Sequence, residues 1–244
     1  MVRFDQTSIS TSFRLIPGCL LIQFNPPRRV LSSAVLGGGF CNASFIFNCQ
    51  VSGPPILKPV SKLESSAKDG CLPEARRHLK ELARKLGLEG TGVGMMTGVK
   101  IVNNLTILRR AWRDLWVEGF ITVGVSNAVR AGDPATYDEG IESVVPTGTI
   151  NMILLIGARL SDAATVEAIQ VATEAKAATL IEAGVKSWIS SRPASGTGTD
   201  CTAIVSGQGR RLDYAGTHTW LGELIGRVVS DGVLEGIRKC GKLV

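Results

Sequence analysis

The sequence predicts an α/β fold: a single layered domain with a mixed, glycine-rich sheet covered by helices. Three observations carry this. Short apolar runs bounded by Gly and Pro recur along the 244 residues, three longer segments have helical spacing, and the two kinds are interspersed. Several strand candidates are joined by loops too short to hold a crossover helix, which makes the sheet mixed.

In chain order, Phe13 to Ile16 and Cys19 to Phe24 flank Pro17-Gly18, a turn dipeptide, and predict an opening hairpin. Val30 to Leu36 reads as a strand entering Gly37-Gly38-Gly39, and Ser44 to Val51 as another. The polar, Pro/Ser/Lys-rich stretch from Gly53 to Gly70 reads as a surface loop. "LPEARRHLKELARKLG" is an amphipathic helix with Ala75, Leu79, Leu82 and Leu86 on one face and Gly87 at its end. Strands follow at Thr91 to Thr97, Phe120 to Val125 and Thr149 to Ile156. A helix then runs from Ser161, a plausible N-cap, to Ala183, with Gly184 as its stop. Cys201 to Val205 is a strand, and a helix from about Thr217 to Cys240 carries Trp220, Leu224, Ile225, Val228, Leu234 and Ile237. Residues 1–28 are read as a hairpin extension packed on a domain of residues 29–244.

Composition narrows the function. With 44% hydrophobic, 20% charged and 5% aromatic residues, the chain is globular rather than disordered. Its net charge of +6 is dispersed over separated Arg pairs with no interleaved aromatics, a pattern of solvated surface and not of a nucleic-acid interface. Six cysteines form no C-x-x-C pair, which excludes zinc ribbons and fits a reducing, cytoplasmic compartment. No apolar run approaches the roughly 20 residues of a membrane span, and the N-terminus lacks the apolar core of a signal peptide. A homo-oligomer is compatible with the sequence.

Glycines gather where strands end, in "SSAVLGGGF", "GVGMMTG", "TVGVSNAVRAG", "PTGTINMILL", "SGTGTDCTAI" and "YAGTHTWLGELIG". None matches the Walker or dinucleotide pattern. Beside them stand Ser32, Ser33, Thr97, Ser126, Asn127, Thr149, Asn151, Thr197 and Thr199, neutral donors and acceptors that suit an uncharged, amide-rich or sugar-like ligand. Titratable candidates are few. His78 lies among Arg76, Arg77 and Lys80 on an exposed helix face, whereas His218 opens the last helix. Two histidines cannot build a three-histidine zinc site, and no ligand spacing supports a metal, although a divalent ion is not excluded. There is no G-x-S-x-G elbow, and Cys41 reads better as a small buried hydrophobe than as a nucleophile.

Lys176 breaks the amphipathic pattern. By helical phase it shares a face with Val166, Ile169, Thr173 and Leu180, while Glu174 is rotated roughly 160° away. Either it snorkels to water, or it enters a polar cavity and pairs with a carboxylate from another segment, Asp200 in "GTGTD" being the natural candidate.

Taken in order, "LSSAVLGGGF", "FNCQV", "GMMTGV", "TVGVSNAVRAG", "GTINMILLIGARLSDAATVEAIQVATEAKAATL", "SGTGTDCTAIV" and "YAGTHTWLGELIGRVV" resemble the adenosylcobinamide amidohydrolase family of corrinoid salvage. The resemblance spans roughly Arg29 to the C-terminus, with "ATEAK" and "TGTD" its most specific parts. It implies hydrolysis of the amide joining aminopropanol to the corrin, giving adenosylcobyric acid and 1-amino-2-propanol, with the corrinoid as substrate and no prosthetic group. It also implies a preference for the adenosylated form. A ligand fringed with carboxamides fits the hydroxyl- and amide-rich segments.

Amide hydrolysis needs a base for water, donors for the oxyanion and an acid for the leaving amine. The expected assignment is Glu174 or Asp200 as base, Lys176 with the backbone N–H groups of Gly37, Gly38 and Gly39 at the oxyanion, and His218 as acid. Asn48, Asn127, Asn151 and Thr199 head the substrate contacts. The competing functions are a non-catalytic corrinoid carrier and an amidase for another amide-bearing cofactor.

Overall fold

The computed structural model describes residues 11–51, 71–136 and 148–241. The expected loop up to Gly70 lies outside the described residues, save Val51 before it. The chain runs β1 Thr11–Ile16, β2 Cys19–Ser32, β3 Gly39–Gln50, α1 Cys71–Lys85, β4 Gly92–Thr97, α2 Ile101–Asn104, β5 Leu105–Trp112, β6 Leu115–Val123, β7 Ala128–Val129 and β8 Ile150–Ile156. It continues with β9 Arg159–Leu160, α3 Asp162–Glu182, β10 Gly196–Thr197, β11 Cys201–Ser206, β12 Arg211–Leu212 and α4 Trp220–Lys239.

The main sheet is mixed, in the order β4-β3-β2-β11-β8-β6-β5, with β1 paired to β2. β3 and β4 are parallel through α1, and β8 and β11 are parallel through α3; the other neighbours in this sheet are antiparallel. Two expectations are corrected here. Cys19–Phe24 and the strand from Val30 are the two ends of one strand, β2, whose pairing with β3 skips between Gln23 and Arg28. Pro26 and Pro27 offer no N–H to the ladder, so the strand bends there and changes partner, β1 on its first half and β11 on its last. The boundary drawn after residue 28 therefore falls inside a strand. Second, β5 was not anticipated. Its two-residue turn to β6 has Arg113 at φ 54 in place of the usual Gly or Asn, so no hairpin signal stands in the sequence.

The sheet doubles over on itself. Asn48 on β3 and Thr122 on β6 are four strands apart, about 19 Å in a flat sheet. Yet Asn48 Nδ2 donates to Thr122 Oγ1 at 3.1 Å, and Asn151 Nδ2 on β8 donates to Asn48 Oδ1 at 2.9 Å. Phe13 of β1 likewise meets Phe120 of β6 edge-on, with ring centroids 5.1 Å apart. Two leaves thus face each other across a core that includes Ile22, Ile46, Met95, Phe120 and Ile153. Leu79 and Leu82 of α1 cover the outside of the first leaf against Phe45 and Phe47. α3 and α4 cover the second against Ile121, Met152 and Ile204.

α3 begins as its sequence dictates. Ser161 caps it by accepting from Ala164 N, and Gly184, at φ 68, ends it. Its buried face differs from the expected stripe: Ala164, Ala168, Ala172, Lys176 and Leu180 are buried, whereas Val166 and Thr173 are exposed. Alanines let the helix approach the sheet and α4 closely, and that close packing outweighs the larger side chain of Val166. No described helix is long and apolar enough to cross a membrane.

Because Asn48 joins the leaves through side chains buried from water, Asn48→Ala strands Thr122 and Asn151. We expect a loss of about 2 kcal/mol or more in urea unfolding, with unchanged m-value. A loss below about 0.5 kcal/mol would show that this row does not hold the leaves together.

Candidate active site

Five of the six glycine-rich segments meet at the edge where β8 and β11 begin; the sixth, which carries His218, turns against Glu167 instead. Lys176 reaches this edge from α3 and pairs with Asp200, which precedes β11; the two side chains are 8% and 12% exposed. Snorkelling is thereby excluded. Asp200 Oδ1 accepts from Thr197 Oγ1 at 2.5 Å and Ile150 N at 3.0 Å, while Oδ2 accepts from Thr197 N at 3.0 Å and from Lys176 Nζ. A carboxylate offers about four lone-pair sites, and all are taken. Asp200 is consequently an anchored anion with no free lone pair for a water, which argues against its expected role as base.

Lys176 is not saturated. Among the described residues Asp200 is the one partner of its ammonium, so two of its three N–H donors remain for a ligand. Gly196 makes the pair possible: a Cβ there would lie 2.6 Å from Asp200 Oδ2 and 3.1 Å from Lys176 Nζ. β10, which carries Gly196 and Thr197, is held against β7 with Thr197 opposite Ala128.

The neighbouring polar residues divide into two kinds. Thr149 Oγ1 donates to Thr199 O at 2.7 Å and Thr199 Oγ1 to Gly148 O at 3.0 Å, stitching the two strand entrances together. Asn151 gives both Nδ2 hydrogens away, to Asn48 Oδ1 and to Met96 O at 2.8 Å. Thr97 Oγ1 accepts from Val99 N at 3.3 Å. These groups are spent on structure. Asn127, by contrast, is buried with no partner for either end of its amide among the described residues. Exposed Ser126 stands beside it. Thr122, the far end of the buried row, was not singled out because a Thr between Ile121 and Val123 looks like any strand residue.

The loop before β3 reaches the same edge: Ser33 N donates to Thr202 O at 3.1 Å, and Thr202 N donates to Ser33 Oγ at 3.2 Å. Ser32 Oγ donates to Gly37 O and accepts from Ala34 N, bonds that shape the loop. Gly37 and Gly39 take φ 72 and 81, and a Cβ on Gly37 would lie 2.4 Å from Gly92 O. These glycines serve a tight turn against β4. Among the described contacts, neither they nor Gly38 touch Lys176 or Asp200.

Two expected catalytic residues do not join the cluster. Glu174 is exposed on α3, as its helical phase required. His218 is exposed ahead of α4, in a turn whose Ala215 and Gly216 N–H groups bond Glu167. Glu167 is nine residues from Lys176 along α3, about 13 Å, so the turn lies toward the other end of the helix. Burial pushes the Cys41 thiol up, and its Sγ donates to Gly37 O at 3.8 Å; burial likewise pushes Cys201, beside Asp200, up to about 11. Both are protonated thiols at neutral pH and neither is an activated nucleophile. Among the described residues no three His, Cys, Asp or Glu side chains converge as metal ligands.

Removing one member of a buried pair strands the other charge. Asp200→Ala should lower unfolding free energy by about 3–5 kcal/mol, and by clearly less in protein already carrying Lys176→Met. Equal losses in both backgrounds would show that the two charges are not coupled.

The chain is similar to several known proteins. The family model described as adenosylcobinamide amidohydrolase matches residues 4–244. An uncharacterized protein of Methanocaldococcus jannaschii is 30% identical over 240 residues, covering 92% of this chain and 87% of that one. The adenosylcobinamide amidohydrolase of Methanosarcina mazei is 31% identical over 220 residues, covering 86% and 90%. Among solved structures, a Pyrococcus horikoshii protein aligns over 94% of this chain and 83% of its own, with TM-score 0.45 and 11% identity. From the match along nearly its whole length, this chain belongs to the adenosylcobinamide amidohydrolase family.

Proposed function

We propose that this protein hydrolyses the amide between aminopropanol and the corrin side chain of adenosylcobinamide, a non-peptide carbon–nitrogen bond. Water is consumed, and adenosylcobyric acid and 1-amino-2-propanol are released for corrinoid salvage. The observation that carries the reading is Lys176: a buried cation with two N–H donors unspent among the described residues, fixed by a saturated Asp200 at an edge rich in neutral hydrogen-bonding groups. A cation so placed favours the step in which the amide oxygen gains negative charge, because its attraction for that oxygen strengthens as the charge develops. Its donors are oriented before substrate arrives, so little reorganisation is needed during reaction.

In this reading Asp200 is a positioning residue, and Thr197 holds Asp200 through both its N–H and its hydroxyl. Glu174 and His218, both exposed, carry no proton here: the one given up by the attacking water passes through solvent to the departing nitrogen, which leaves as the amine. The corrinoid is substrate, and no resident cofactor or metal is used.

Incubation of the purified protein with adenosylcobinamide should yield adenosylcobyric acid and aminopropanol by mass spectrometry. Lys176→Met, shown to be folded, should lose roughly 10²- to 10³-fold in kcat while His218→Ala and Glu174→Gln stay near wild type. Wild-type turnover in Lys176→Met would sink the assignment. Activity should also survive exhaustive chelation; loss restored by one added divalent ion would show metal-assisted hydrolysis instead.

A further inference from the structure

Of the three buried asparagines at the site, Asn48 and Asn151 are tied to each other, but Asn127 is not tied to anything described. Asn127 is 1% exposed, and neither its Oδ1 nor its Nδ2 has a hydrogen-bond partner among the described residues. Leaving a donor and an acceptor unmet away from water destabilises a folded chain. Such groups are uncommon and call for a functional explanation.

The position of Asn127 suggests what they await. Its neighbour Ala128 lies opposite Thr197, the residue that binds Asp200 twice. A Cβ on Gly148 would sit 2.5 Å from Asn127 Oδ1 and 2.7 Å from Ser126 Oγ, so only a glycine lets the entrance to β8 pack against this amide. Gly148 in turn accepts from Thr199, the residue before Asp200. The empty amide is therefore built into the same strand entrances as the Lys176–Asp200 pair.

An asparagine amide presents a donor and an acceptor side by side. Its complement is an acceptor beside an N–H on one edge. A secondary amide in the trans form cannot supply this, because its C=O and N–H point in opposite directions, so the scissile bond is not the partner. We propose that Asn127 is a specificity residue that binds a paired acceptor–donor edge of the substrate through two parallel hydrogen bonds. This rests on the corrinoid reading of the site. Two groups on such a substrate have that edge: a peripheral primary carboxamide, and the N7/N6 edge of the adenine in the adenosyl group.

The test uses cobyric acid and adenosylcobyric acid, two coloured probes without the scissile amide, titrated by absorbance into wild type and Asn127→Leu. Leucine keeps the volume and removes both unmet polar atoms. The expected result is a Kd raised roughly tenfold to a hundredfold, with a melting temperature equal to or above wild type. Weakening of both probes by the same factor assigns the carboxamide; weakening of the adenosylated probe alone assigns the adenine. Unchanged Kd for both, a lowered melting temperature with unchanged Kd, or failure of wild type to bind either probe overturns the proposal. If Asn127→Leu does not fold, Asn127→Ala is titrated in its place. Because no turnover is needed, a wild-type protein that binds the probes but leaves adenosylcobinamide intact refutes the hydrolase reading alone.

Discussion

A lysine and an aspartate withdrawn from water set the terms for the rest of this molecule. A buried carboxylate is tolerable only when its lone pairs are met, and Asp200 draws on three separate elements: Lys176 from α3, Ile150 N at the start of β8, and the backbone and hydroxyl of Thr197 in β10. Each donor must arrive within a few tenths of an ångström. That demand helps explain why Gly196 lacks a side chain and why the face of α3 around Lys176 is lined with alanine. Stability and function are joined here, since the bonds that make the charge bearable also fix the direction in which the remaining N–H groups of Lys176 point.

The second constraint is the bend of the sheet. Were the eight strands flat, Asn48 and Asn151 would lie on strands too far apart to touch, and the edge of β8 and β11 would lack its opposite wall. Doubling over at β2 puts a polar row inside an otherwise aliphatic core, which is affordable because its amide groups satisfy one another. The row and the ion pair are adjacent but do different work. One locks the two leaves together, and the other keeps a cation ready.

Much of the molecule was legible in its residues. Ser161 and Gly184 marked the ends of α3 because capping chemistry is local, and the faces of α1 followed from 3.6-residue spacing. Where reading failed, a non-local force had won. Hydrophobicity alone places the α3 stripe through Val166, but a helix wedged against sheet and neighbour buries its smallest side chains. β5 stayed hidden because Arg113 holds a positive φ that ordinarily calls for glycine. His218 looked catalytic because histidine titrates near neutrality, yet nothing in a linear string tells which end of a helix a turn will meet.

The sequence by itself determined the element types, the gathering of glycines and hydroxyls at strand ends, and the anomaly of Lys176, for these depend on spacing along the chain. Only the tertiary structure decided which carboxylate met that lysine, that all lone pairs of Asp200 are occupied, and that Asn127 rather than Asn48 or Asn151 keeps its amide unspent among the described residues. Those are questions of saturation. A hydrogen-bonding group's availability depends on every neighbour that folding brings to it, and most of those neighbours are distant in sequence.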